Sequence, residues 1–317
     1  MLESIQQIVD RAGPDGEVWR VVLEEEIEES GRTEAEVFER LGARLETMRE
    51  AVEQGLESEA PSVSGLLGGG ARRFEAWRRS GETIAGDFIA RVIARAQATM
   101  EVNARMGTIV ATPTAGSSGI LPAVLFSAAE ELDLTDEEVA KGLLVAAGIG
   151  EVIVARASVS GAAGGCQAET GSAAAMASGA LTELRGGDPE AVSQAVAFTL
   201  QGMLGLICDP VGGLVEVPCL TRNVSGAVQA VAASEMALAG LKFPIPADEV
   251  IDVMGQIGAE MDERYRETAK GGLATTPTGR RLAREVRWDG PEFDNTNVAR
   301  AEDLAAAGAK EEGDGGS

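Results

Sequence analysis

Almost half of this chain is hydrophobic, 44%, yet aromatic residues make up only 3%. A core made mostly of Ala, Val and Leu has few large rings to fill it, so its elements must pack closely. Forty glycines fit helices of small residues joined by glycine-rich turns. Glycine costs about 1 kcal/mol inside a helix, so many should sit at turns and caps. The local signals are helical. Thr33-Glu34-Ala35-Glu36 and Thr135-Asp136-Glu137-Glu138 have the form of capping boxes. Asp188-Pro189 reads as a helix start with proline at the first position. Val37, Leu41, Leu45, Met48 and Val52 fall on one helical face. No convincing run alternates with period two. The chain is therefore predicted to be all-α, a compact helical domain with glycine-rich loops and a charged N-terminal helical arm.

The arm is expected over residues 1–58, with Glu24-Glu25-Glu26 on a solvated face. A break follows at 59–71, through Pro61-Ser62-Val63-Ser64-Gly65 and Gly68-Gly69-Gly70. The main domain is placed at 72–285. Within it one helix should run from Asp136 to about Ala147, another from Gly171 to Leu184, and a third from Pro246 to about Arg266. Residues 286–317 form an extension, and its small, acidic, glycine-rich end is expected to be disordered.

The net charge of −24 repels phosphate backbones and anionic membrane surfaces, which disfavours both as partners. Only four residues are lysine, and the acidic surface fits either a high-salt habitat or a GC-rich genome. The chain has no histidine, which excludes histidine bases and histidine metal ligands within it. Residues 106–129 and 191–208 are uncharged but broken by proline, glycine or polar side chains. They read as buried core, not as membrane spans. Met1-Leu2-Glu3-Ser4 lacks the basic and apolar regions of a signal peptide. The expected compartment is the cytoplasm, where thiols stay reduced.

Three cysteines remain, Cys166, Cys208 and Cys219, each in a segment punctuated by glycine or proline. An odd count cannot pair completely. They could be three inert buried thiols. They could also hold a metal, because glycines let backbone approach a bulky inorganic group and expose N–H groups toward it. A [4Fe-4S] cluster on three thiolates keeps one iron open as a Lewis acid for a hydroxy acid. Two further turns mix hydroxyls with free N–H groups. In 111–119, Thr112, Thr114, Gly116 and Ser117 could hold a carboxylate ahead of a helix. In 158–165, which leads into Cys166, Ser160 and Gly161 could do the same. The stretch 264–274 adds cations and a phenol. Each turn could instead be an ordinary cap or connector. For a proton-transferring group, Lys141, Glu169, Tyr265 and Lys270 are candidates, as is a residue of another chain.

Taken together, these segments resemble the α chain of the iron–sulfur L-serine dehydratases. The resemblance rests on Glu101-Val102-Asn103-Ala104, residues 112–117, Ser158–Glu169, Cys208–Cys219 and Arg222-Asn223. It continues through Arg266-Glu267-Thr268, Gly271-Gly272-Leu273-Ala274 and Thr275–Arg280. It spans about residues 1–285, and the segment from Cys208 to Cys219 is its most specific part. It implies an oxygen-sensitive [4Fe-4S] cluster on Cys166, Cys208 and Cys219, without pyridoxal phosphate. The reaction implied is L-serine to pyruvate and ammonia. Single-chain members of the family carry an additional β domain that is not found here, so a separate β chain is implied. Some also end in a cysteine that caps the open iron, whereas this sequence ends Gly315-Gly316-Ser317. Alternatives are a cluster lyase for threonine or cysteine, or a non-catalytic iron–sulfur redox sensor.

Overall fold

A computed structural model describes residues 2–286. The C-terminal extension expected at 286–317, with its disordered end, lies outside the described residues except for Val286. Thirteen α-helices follow one another among the described residues, and no strand longer than an isolated bridge occurs. The N-terminal region contains α1 (Ile5–Ala12), α2 (Val18–Ser30) and α3 (Glu34–Glu57). Next come α4 (Gly70–Arg79), α5 (Gly86–Ala104), α6 (Ile120–Leu132), α7 (Asp136–Arg156) and the one-turn α8 (Gly161–Gly164). The remainder are α9 (Ser172–Leu184), α10 (Pro189–Gln201), α11 (Cys219–Leu238), α12 (Ala247–Glu260) and α13 (Pro277–Glu285). Both expected capping boxes form: Thr33 caps α3 and Thr135 caps α7. Asp188 caps α10 ahead of Pro189. No helix among the described residues is long and apolar enough to cross a membrane.

Helix α9 is the hub. Residues Ser172 to Thr182 are all buried, and α6, α7, α10 and α11 pack around them. Most of these side chains are Ala, Ser or Gly, so the neighbours close in tightly, as the shortage of aromatics requires. Two of the buried hydroxyls bond within this packing, Thr199 donating to Ser178 at 2.8 Å and Thr182 to the Ser178 carbonyl at 2.7 Å, whereas that of Ser172 has no partner. The apolar sides of α1, α2 and α3 join the same core through Ile5, Val22, Leu45 and Met48.

Three local expectations change. Helix α7 does not stop near Ala147 but continues to Arg156. Gly148 lies inside it because a Cβ there would come within 2.4 Å of Val22; the glycine marks a close crossing, not a helix end. Helix α12 ends at Glu260, and a separate 3₁₀ turn covers Glu263–Tyr265. Glu25 is not solvated: it is buried against Arg11 at 2.5 Å.

Helix α2 has no side-chain cap of its own. Glu183, at the end of α9, accepts from the Val18 and Trp19 amides, both at 2.9 Å. Burial pushes the Glu183 pKa up to about 7, against the pull of those amides. The fold therefore favours the neutral acid. The stabilisation is fully present below the ordinary value of 4.5 and is lost as pH rises through about 7. The melting temperature should fall between about pH 5 and about pH 8. Glu183→Gln should flatten that fall in a thermal melt series; an unchanged slope would remove Glu183 from this role.

Candidate functional site

Each cysteine stands at an element boundary. Cys166 precedes a π turn, Gln167–Gly171, that leads into α9. Cys219 is the first residue of α11. Cys208 lies in the loop after α10, where its amide donates to the Tyr265 carbonyl at 2.8 Å and its carbonyl accepts from the Glu267 amide at 3.0 Å. All three thiols are free and buried, at 3%, 3% and 9% exposure for Cys166, Cys208 and Cys219.

Arg222 and Asn223 tie these elements together. They follow Cys219 at i+3 and i+4, the two spacings that share a helix face. Arg222 pairs with Asp209 at 2.7 Å and donates to the Ile207 carbonyl at 2.8 Å, gripping both neighbours of Cys208. Burial opposes the Arg222 charge, but Cys166 and Asp209 outweigh it and raise its pKa. Asn223 donates to the Cys219 carbonyl at 2.9 Å and to the Gly116 carbonyl at 2.7 Å. Its side-chain oxygen accepts from the Gly119 amide at 3.0 Å, just ahead of α6. A Cβ at Gly226 of α11 would meet both Ile120 of α6 and Thr170 of the π turn. The starts of α6, α9 and α11 thus lie together, and their positive ends favour anionic groups. The loop after Cys208 is anchored by Glu216, which accepts from the Ser62 hydroxyl at 2.6 Å. That contact packs part of the 59–71 break against the cysteine loop.

Beside the thiols lies Glu169. The Thr114 hydroxyl donates to it at 2.9 Å. A Cβ at Gly161 would stand 2.5 Å from the Glu169 carboxylate and 3.3 Å from that of Glu267, so a larger residue would press on both acids. Gly116 approaches Glu169 from another side, at 3.1 Å from its missing Cβ. Burial, and then the Glu267 charge, push the Glu169 pKa up to about 7, against the Thr114 hydrogen bond. Glu267 sits at positive φ, 63°, and desolvation raises its pKa too.

Thr114, Gly116, Gly161 and Glu169 are therefore gathered at one place. Ser117 is fully buried, and its hydroxyl donates to the Thr112 carbonyl at 3.1 Å, bracing the turn from within. Thr112 is buried with its hydroxyl unpartnered, and Ser160 is exposed at the start of α8. Tyr265 reaches the site through its carbonyl, with its ring under Arg264. Lys141 lies elsewhere, paired with Glu137 at 3.0 Å and above the Trp19 ring. Lys270 is exposed in an ion pair with Glu263 at 2.6 Å. Asp209, Arg222, Asn223 and Glu267 were not among the sequence candidates for site residues. The helical spacing from Cys219 could have found Arg222 and Asn223.

Among the described residues, no group of three or more thiol and carboxylate side chains is arranged to hold a single metal ion. The fit of the site to a cluster rests instead on donor chemistry. Burial is the first cause that pushes each thiol up, and the charge of Cys166 is the second for both Cys208 and Cys219. Three thiolates here need a positively charged body among them, which an iron–sulfur core supplies.

Residues 15–274 match the serine dehydratase alpha chain family. The chain is 49% identical over 266 residues to a probable L-serine dehydratase alpha chain of Bacillus subtilis, covering 84% of this chain and 88% of that protein. It is 43% identical over 291 residues to the L-serine dehydratase alpha chain of Peptoniphilus asaccharolyticus, covering 92% and 100%. Against the L-serine dehydratase of Streptomyces coelicolor it is 40% identical over 257 residues, covering 78% of this chain and 55% of that longer protein.

Proposed function

The chain belongs to the serine dehydratase alpha chain family, and from that footing we propose that it deaminates L-serine to pyruvate and ammonia in the cytoplasm. Cys166, Cys208 and Cys219 would hold a [4Fe-4S] cluster, and no pyridoxal phosphate is used. A separate β chain completes the enzyme. The observation that carries this reading is the joint placement of three free buried thiols, tied together through Arg222 and Asn223, beside a half-buried carboxylate between two glycines. When bound, the cluster supplies a Lewis acid that eases departure of the serine hydroxyl.

The chain's own residues do the rest. The Thr112–Ser117 turn and the turn at Ser160 and Gly161 bind the serine carboxylate. Backbone N–H groups at a helix start suit an anion without adding a buried cation to a chain of −24. Glu169 moves the proton. It is the one of the four candidate groups whose carboxylate faces Gly116 and Gly161, and a pKa of about 7 leaves both its forms populated near neutrality. It takes the α-proton as the β-hydroxyl leaves as hydroxide, then returns that proton to the hydroxide, so that water and aminoacrylate result. Aminoacrylate then takes up water and releases pyruvate and ammonia.

The test is a ranking of kcat/KM for serine, threonine and cysteine in anaerobic protein with its β chain, using Glu169→Gln as probe. Serine should rank first. The variant should lose about 10²–10⁴ in kcat, the range of general acid–base contributions, with iron content unchanged. Full kcat in the variant would remove Glu169, and threonine or cysteine ranking first would overturn the substrate assignment.

A further inference from the structure

We propose a second small-molecule site, away from the cysteines, that takes a carboxylate with an apolar side chain. A cavity of about 320 Å³ lies between the N-terminal helices and the core, within the size range of small-ligand pockets, about 300–1,000 Å³. Its floor is apolar, formed by Val22, Leu121, Leu143, Leu144 and Met176. Ala147 also lines it, and Ala147 is exposed although Ala146 and Gly148 on either side are buried. Its free surface therefore faces the cavity.

Arg40 and Arg44, one turn apart on α3, stand at the rim. Among the described residues neither pairs with a carboxylate; the Arg44 guanidinium donates only to the Arg40 carbonyl, at 3.3 Å. Nearby Arg11, Arg32 and Arg49 are all paired. The acids of the lining are engaged: Glu26 pairs with Arg32 at 2.9 Å, and Glu151 accepts from the Leu2 amide at 2.9 Å. Glu29 is partnered as well. Arg40 and Arg44 are thus the lining groups left with donors to offer an anion, in a chain that is acidic as a whole, and the space behind them is apolar. An aliphatic amino acid or its 2-oxo acid has both ends of that chemistry. The cavity ends on Thr112 and Pro113, the back of the turn that carries Thr114, whereas none of Cys166, Cys208, Cys219 or Glu169 lines it.

Calorimetric titration of the full chain with leucine, 4-methyl-2-oxopentanoate and acetate tests this. One of the branched carboxylates should bind, and the tighter of the two identifies amino acid or oxo acid as the source. Acetate should bind at least about tenfold more weakly, since it lacks several apolar carbons, each worth about 0.8 kcal/mol. Arg40→Gln with Arg44→Gln should weaken binding about tenfold or more by removing the charged donors. Ala147→Phe should abolish it by filling the space. Both arginines are exposed, so that variant keeps its fold. No binding of either branched carboxylate at millimolar concentration, or equal affinity in the double arginine variant, would overturn the site.

Discussion

Arg222→Met should destabilise the chain by about 3–5 kcal/mol, the cost of leaving one partner of a buried ion pair behind. Asp209 is 1% exposed and pairs with Arg222 at 2.7 Å. Its second oxygen accepts from the Leu273 amide at 2.6 Å. Methionine fills much of the arginine's volume but offers no charge and no donor, so Asp209 keeps a buried charge with one amide to satisfy it. The Ile207 carbonyl loses its 2.8 Å donor as well. Denaturant unfolding gives the number. The control is Asp209→Asn in the same background. If the penalty comes from the stranded carboxylate, the double variant should recover part of it. A single variant within about 1 kcal/mol of wild type, well below the range for a broken buried pair, would show that Arg222 does not organise this site.

The largest effect on activity should come from the thiols. Cys219→Ser in anaerobically prepared protein should lower serine turnover by about 10³ or more, because Lewis-acid assistance is worth several kcal/mol and each 1.36 kcal/mol is tenfold. Serine keeps the shape of the side chain but not its affinity for iron. Cys219 packs beside Met100 and Leu220, and its carbonyl still receives Asn223 at 2.9 Å, so the start of α11 should persist. Far-ultraviolet circular dichroism should match wild type while turnover falls. Undiminished turnover with Cys219→Ser would take this residue out of the ligand set.

Much of the fold was legible because its signals are local. The capping boxes at Thr33 and Thr135 bond over three residues, and the stripe from Val37 to Val52 needs only the period of a helix. The glycines of α7 were harder to read. A glycine that ends a helix and one that admits a neighbour look alike in sequence, and Gly148 is the second kind, since only the packing of α2 brings Val22 against it. The gathering of Thr114, Gly116, Gly161 and Glu169 could be anticipated from their glycine-rich turns. The spacing from Cys219 points to Arg222 and Asn223 but not to the groups they meet. Asp209 meets Arg222, and Glu267 meets Glu169, through tertiary contacts that no spacing encodes. Among the candidate bases, sequence alone could not separate Lys141 and Lys270 from Glu169. The ion pairs with Glu137 and Glu263 that occupy those lysines appear only once the chain is folded.

The most direct test of a three-thiolate cluster is iron and acid-labile sulfide analysis of the full chain after anaerobic reconstitution. The expected result is about four iron and four sulfide per chain, the content of one [4Fe-4S] group. Protein that binds no iron, or that takes up metal without sulfide, would contradict it.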